Sequence, residues 1–154
     1  MTTEQIELQN GILKSKIMEL KSALLFTESA SCMQLPTHVI TDVEIDEAMQ
    51  IWFVIAKPAQ HIDAFDKQMP AKLDFFKKGL QFFVKVKGTA QLISDVAELK
   101  NRGAIAEKMA ERMNRESVIV VCIPIQESEI VDNSPKPAQN WLQTSKMQLS
   151  SWFF

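Results

Sequence analysis

Glycine is scarce, with four in 154 residues, and neither a phosphate-cradling P-loop nor the glycine fingerprint of a dinucleotide fold can be built from them. The only cysteines, Cys32 and Cys122, lie far apart and form no CxxC pair, which excludes a disulfide framework and a cysteine zinc site. Cys122 stands in an apolar run and reads as a small core residue. The two histidines, His38 and His61, are not at helical spacing and no cysteine or carboxylate cluster joins them, so a metal centre has little support. No GxSxG or Cys/His arrangement points to nucleophilic catalysis. Arginine is limited to Arg102, Arg112 and Arg115, all in or beside one helical stretch, which leaves no arginine-rich substrate site elsewhere. No run of eighteen apolar residues is present and the N-terminus lacks the basic and apolar regions of a signal peptide, so the expectation is a cytoplasmic protein that meets no membrane. Positive charge is not in excess either: a net charge of -2 gives no electrostatic case for nucleic acid. Lys67, Lys72, Lys77 and Lys78 form a local basic patch, read as a solvated face.

What the chain does have is apolar content, 46% hydrophobic against 23% charged residues, enough for one globular domain with a real core. Its clearest pattern lies at residues 82–92. Phe82, Val84, Val86, Gly88, Ala90 and Leu92 alternate with Phe83, Lys85, Lys87, Thr89 and Gln91, the two-residue period of a strand with one apolar face. Gly88 breaks that face. A glycine inside a strand marks a bulge, a bend or a close approach by another backbone, so residues 80–93 are read as a bent barrel strand.

In chain order, residues 2–19 read as a helix with Thr2 and Gln5 as a capping box and Ile6, Leu13, Ile17 and Leu20 at helical spacing. Residues 22–27 read as a short strand. Residues 33–45, rich in β-branched side chains, read as one longer strand. Asp46, Glu47 and Ala48 make a turn into a strand over 50–56, buried on both faces. A short helix is expected over 60–68, ended by Pro70, then a strand over 73–77. Residues 95–114 read as one long helix, with Asp95 and Glu98 as a capping box and an apolar stripe through Val96, Leu99, Ala106, Met109, Ala110 and Met113. Residues 117–125 form a central strand, ended by Pro124; Ile130 and Val131 are candidates to extend it. Domain organisation follows: a barrel domain with an N-terminal helix over 1–132, and a tail over 133–154. That tail carries Trp141, Trp152, Phe153 and Phe154, apolar enough to pack on the barrel or on a partner subunit.

Trp52 and Phe53 in a strand, a short helix after it, and then the run Val84 to Leu92 leading to Asp95 before a helix resemble the pyridoxamine 5'-phosphate oxidase-like split barrels, most closely the general stress protein branch. The resemblance covers about residues 15–131. It implies a mainly β, α+β fold, an antiparallel split barrel of six or seven strands. It further implies a homodimer with flavin mononucleotide (FMN) in grooves between the two barrels, and oxidoreductase-like chemistry carried by the flavin. In the family an arginine on the second strand, followed by a small residue, grips the phosphate; here those positions fall at His38 and Val39. The family's lysine that opens the short helix falls at Gln60 or His61, with Lys57 the nearest cation. The backbone of Phe53, Val54 and Ile55 is expected to meet the polar edge of the flavin, and a helix start at Gln60 and His61 would offer free N–H groups to an anion.

Where the family places Arg and Lys this chain has histidine and glutamine, weaker partners for a phosphate. Against the site assignment stand a His38 facing solvent or the dimer seam and a His61 exposed in a first helical turn. The alternative function is therefore a non-catalytic split-barrel binding or stress protein that has lost high-affinity FMN binding.

Overall fold

The computed structural model describes residues 2–27, 38–57 and 67–133. The N-terminal helix α1 spans Thr3–Leu20 and opens with the capping box expected at Thr2 and Gln5. Lys21 closes it in the left-handed region, φ 58°. Only its C-terminal half is packed: Leu13, Ile17 and Leu20 are buried, whereas Ile6, Leu8 and Ile12 are exposed. Ile6 thus shares the helical period without sharing the core.

Seven strands follow: β1 Ala23–Thr27, β2 His38–Ile40, β3 Glu44–Ile45, β4 Gln50–Ala56, β5 Gln68–Phe75, β6 Phe82–Ile93 and β7 Val118–Asp132. They form one sheet in the order β2-β1-β5-β6-β7-β4-β3, every pair antiparallel. The sheet curls so far that β2, at one edge, lies against β4 near the other, which makes a half-barrel. Helix α2, Ala104–Arg115, and a short 3-10 helix at Val96–Leu99 sit between β6 and β7 in the chain.

Strand alternation splits the apolar residues into two clusters. Ile51, Phe53 and Ile55 of β4 point inward with Val84, Val86 and Leu92 of β6 and Val121 of β7, and α1 closes this inner core. Trp52 of β4, with Ile93, Val120 and Cys122, points outward and is covered by Leu99, Ala106 and Met109. Trp52 and Phe53 are therefore both core residues, on opposite faces, as a two-residue period demands.

The bent strand is β6. Its register with β7 shifts between Lys87 and Gly88, from Lys87 opposite Glu127 to Gly88 opposite Ile125, so Gln126 is the extra residue of a bulge. A Cβ on Gly88 would overlap the Pro124 carbonyl oxygen and stand 2.8 Å from Ile123 Cγ2. Only glycine admits that approach.

Several boundaries differ from the sequence expectation. The single strand over 33–45 ends at Ile40 and resumes at Glu44, because Asp42 turns into the left-handed region, φ 55°. The helix over 60–68 lies outside the described residues except for Lys67 and Gln68, and Gln68 is already in β5. Pro70 sits inside β5 instead of ending a helix, beyond the last β1 pair at Ala71, so its missing N–H faces an edge that has no ladder partner among the described residues. The helix over 95–114 is two pieces: Asp95 caps the 3-10 turn through Ala97 N–H, and Gly103 at φ 110° starts α2 afresh. Pro124 does not end its strand either. β7 runs on to Asp132, with Pro124 placed two residues from the bulge, where the ladder is already irregular. The domain limit at 132 coincides with the end of β7, and the tail expected over 133–154 lies outside the described residues apart from Asn133.

Candidate functional site: an open strand edge facing β2

β4 has a complete partner on one side only. β7 pairs with it from Gln50 to Ala56, while β3 reaches no further than Trp52. Antiparallel residues alternate between bonding one neighbour and the other, and two bonds fix the alternation here: Ile125 N–H donates to Met49 O at 3.1 Å and Lys57 N–H to Ser117 O at 3.0 Å. Residues 49, 51, 53, 55 and 57 therefore direct their backbone groups toward β7, and Trp52, Val54 and Ala56 direct theirs away from it. Trp52 meets Glu44 of β3. The edge from Val54 to Ala56 has no ladder partner among the described residues.

β2 faces this edge across a pocket of about 260 Å³ lined by Val39, Ile40 and Thr41 on one side, Val54, Ile55 and Ala56 on the other, and Arg112 of α2. Val39 is 67% exposed, so the apolar lip of the pocket is open to solvent. Arg112 Nε and Nη2 donate to Glu116 Oε2 and Oε1, both at 3.2 Å. The bonds to Glu116 hold the guanidinium pKa above its ordinary value, and the same contact holds the Glu116 carboxyl below its own. On its other side Arg112 borders a second hollow of about 450 Å³ that includes Lys21, Asp42, Glu44 and Lys108, where Lys108 pairs with Glu44.

The hairpin beneath the groove is pinned by Asp46. Its carboxylate accepts from Ala48 N–H and Gln50 N–H, and from Trp52 Nε1, each at 2.9 Å. Arg102 stacks over the same indole, 5.1 Å from its centroid. Cys122 faces Gln50, Sγ to Oε1 3.1 Å, and burial pushes its thiol up to about 12, which leaves no thiolate for chemistry at neutral pH.

Of the residues singled out from sequence, Val39, Val54 and Ile55 line one pocket. His38 opens β2 in register opposite Leu25. Phe53 is fully buried in the inner core, and its backbone groups, like those of Ile55, belong to the β7 ladder. Lys57 is exposed just past the end of β4. Gln60 and His61 lie outside the described residues. Sequence reasoning missed Ala56, Thr41 and Arg112. The alternation that separates Phe53 from Val54 also selects Ala56, and the four-residue spacing of Arg112 and Glu116 is a visible helix pair, but neither indicates that α2 ends beside β2.

Solved structures share this architecture at low identity. A general stress family protein of Xanthomonas campestris pv. campestris superposes with TM-score 0.57 at 17% identity, covering 97% of this chain and all of that one. The general stress FMN/FAD binding protein of Xanthomonas citri gives 0.56 at 16% identity, covering 94% and 99%. A Clostridium acetobutylicum protein related to general stress protein 26, of the pyridoxinephosphate oxidase family, gives 0.56 at 8% identity, covering 82% and 90%. The fold is an α+β split barrel. No family model matches the chain, and no curated protein does. In this split barrel the open edge of β4 and the facing β2 are where unpaired backbone groups of β4 border a cavity that also holds the Arg112 guanidinium.

Proposed function

We propose that the protein binds a flavin, with FMN the preferred form, between β2 and β4, and that it does so as a homodimer in the cytoplasm. The observation that carries this reading is the unpartnered β4 edge from Val54 to Ala56, facing β2 across a pocket. Val54 is half-buried, where backbone groups without partners are costly, Ala56 is exposed, and the polar edge of an isoalloxazine presents matching donors and acceptors to both. Phe53 and Ile55 serve the site indirectly: their side chains and ladder bonds fix β4 so that Val54 and Ala56 face outward. The pocket on one chain, about 260 Å³, falls below the roughly 300–1,000 Å³ of a small-molecule site, so a ring of this size needs a second wall, which a partner barrel would provide. His38, Val39, Lys57, Gln60 and His61 are assigned to the phosphate end. When bound, the flavin supplies electron transfer, and the residues of the chain position it and exclude water.

A second reading, a split-barrel binding or stress protein without high-affinity FMN, is favoured by one feature, the absence of Arg or Lys at position 38. The visible spectrum of the protein purified from cells, taken again after incubation with excess FMN and gel filtration, separates the two. Flavin bands that travel with the protein are expected. A protein colourless under both conditions belongs to the second reading.

A further inference from the structure

The pocket between β2 and β4 contains one fixed cation among the described residues, and it comes from neither strand. We propose that Arg112 of α2 binds the anionic end of the ligand in this groove, taking the place of a strand arginine; the inference rests on the groove being a ligand site. Three observations lead there. Arg112 lines the pocket together with Val54 and Ala56, on the face where the β4 edge is open. Its guanidinium is held in place, Nε and Nη2 on Glu116 at 3.2 Å, and Nη1 has no partner among the described residues. Its counter-ion is easily displaced, since Glu116 lies past the last turn of α2 with its side chain 44% exposed, and exposed ion pairs add little. A phosphate monoester presents more charge and the same bidentate geometry to a guanidinium. The charges around Arg112 balance: Lys21 and Lys108 on one side, Asp42, Glu44 and Glu116 on the other. An incoming dianion that releases Glu116 to water meets a net positive surface.

The test compares dissociation constants of FMN and riboflavin, which differ only in the phosphate, for the wild type, R112Q, R112K and E116Q. R112Q is expected to weaken FMN about tenfold or more with riboflavin unchanged, the size of one charge-assisted bidentate contact. R112K should recover part of the loss, and E116Q should tighten FMN. An unchanged FMN-to-riboflavin ratio in R112Q, with both flavins still bound, would overturn the inference and leave the flavin site standing. A wild type that binds neither flavin would strike the flavin reading alone, and inorganic phosphate then decides: a saturable shift of the Arg112 side-chain NMR signal sustains the anion role, and its absence ends it. Circular dichroism of each variant shows whether the fold survives.

Discussion

Gly88 carries a larger share of the barrel's shape than its size indicates. Replacing it with alanine would drive a methyl group into the Pro124 carbonyl oxygen, a backbone atom that cannot rotate away. We expect Gly88→Ala to lower stability by about 1–3 kcal/mol, the usual range for overpacking, measurable by urea denaturation. An unchanged midpoint would show that β7 can shift at the bulge. Cys122 gives a pH-dependent counterpart. Burial raises its pKa from 9.0 to about 12, so above pH 9 the unfolded chain loses this proton before the folded one does. Stability contributed by Cys122 is therefore full below pH 9 and declines between pH 9 and 12. The difference in melting temperature between the protein and Cys122→Ala should narrow over that interval. In a Cys32→Ser background, Cys122 should resist thiol reagents at neutral pH until the protein unfolds. At this scale the sequence was informative: a lone glycine in an alternating strand and a cysteine in an apolar run each have few physical interpretations, and both were placed correctly. Arg112 was not, because nothing local to a helix says which strand edge its end will approach.

Among the elements, the β3-β4 hairpin depends most on one side chain. Asp46 holds the turn through Ala48 and Gln50 N–H and ties the Trp52 indole to it. Asp46→Ala leaves the Nε1 of a buried indole unpaired and should cost about 1–3 kcal/mol, with a change in tryptophan fluorescence as Trp52 loosens; wild-type stability and emission would contradict the role. The elements themselves were legible where the pattern was long and regular, as in α1, β4 and β6. They were less so where tertiary context overrides local preference. Asp42 breaks a β-branched run because the chain must turn there, and Gly103 divides an apolar stripe that would otherwise suit one continuous helix. Pro70 and Pro124 read as stops in the sequence, yet both lie in strands, at positions where the ladder has no partner among the described residues or is already irregular. Proline signals a missing N–H, and only the sheet shows whether that N–H was needed.

For the whole molecule, the half-barrel leaves the β4 edge from Val54 to Ala56 without a ladder partner among the described residues, in a pocket that the proposed flavin would need a partner barrel to complete. Sedimentation equilibrium should therefore find a dimer, and a strictly monomeric protein that still binds flavin would require the pocket to close within one chain. The fold was legible because its order of strands and helices, together with the bent β6, resembles the split barrels. The site was legible only in part: Val39, Val54 and Ile55 converge on one pocket, while Ala56, Thr41 and Arg112 join it through the curl of the sheet, which no stretch of sequence encodes locally. The most direct test of the account is a titration of FMN with the wild-type protein while following flavin fluorescence. It predicts saturable quenching at one flavin per chain with a Kd of about 1 µM or tighter. Fluorescence that stays constant as the protein concentration is raised far above that of the flavin would contradict it.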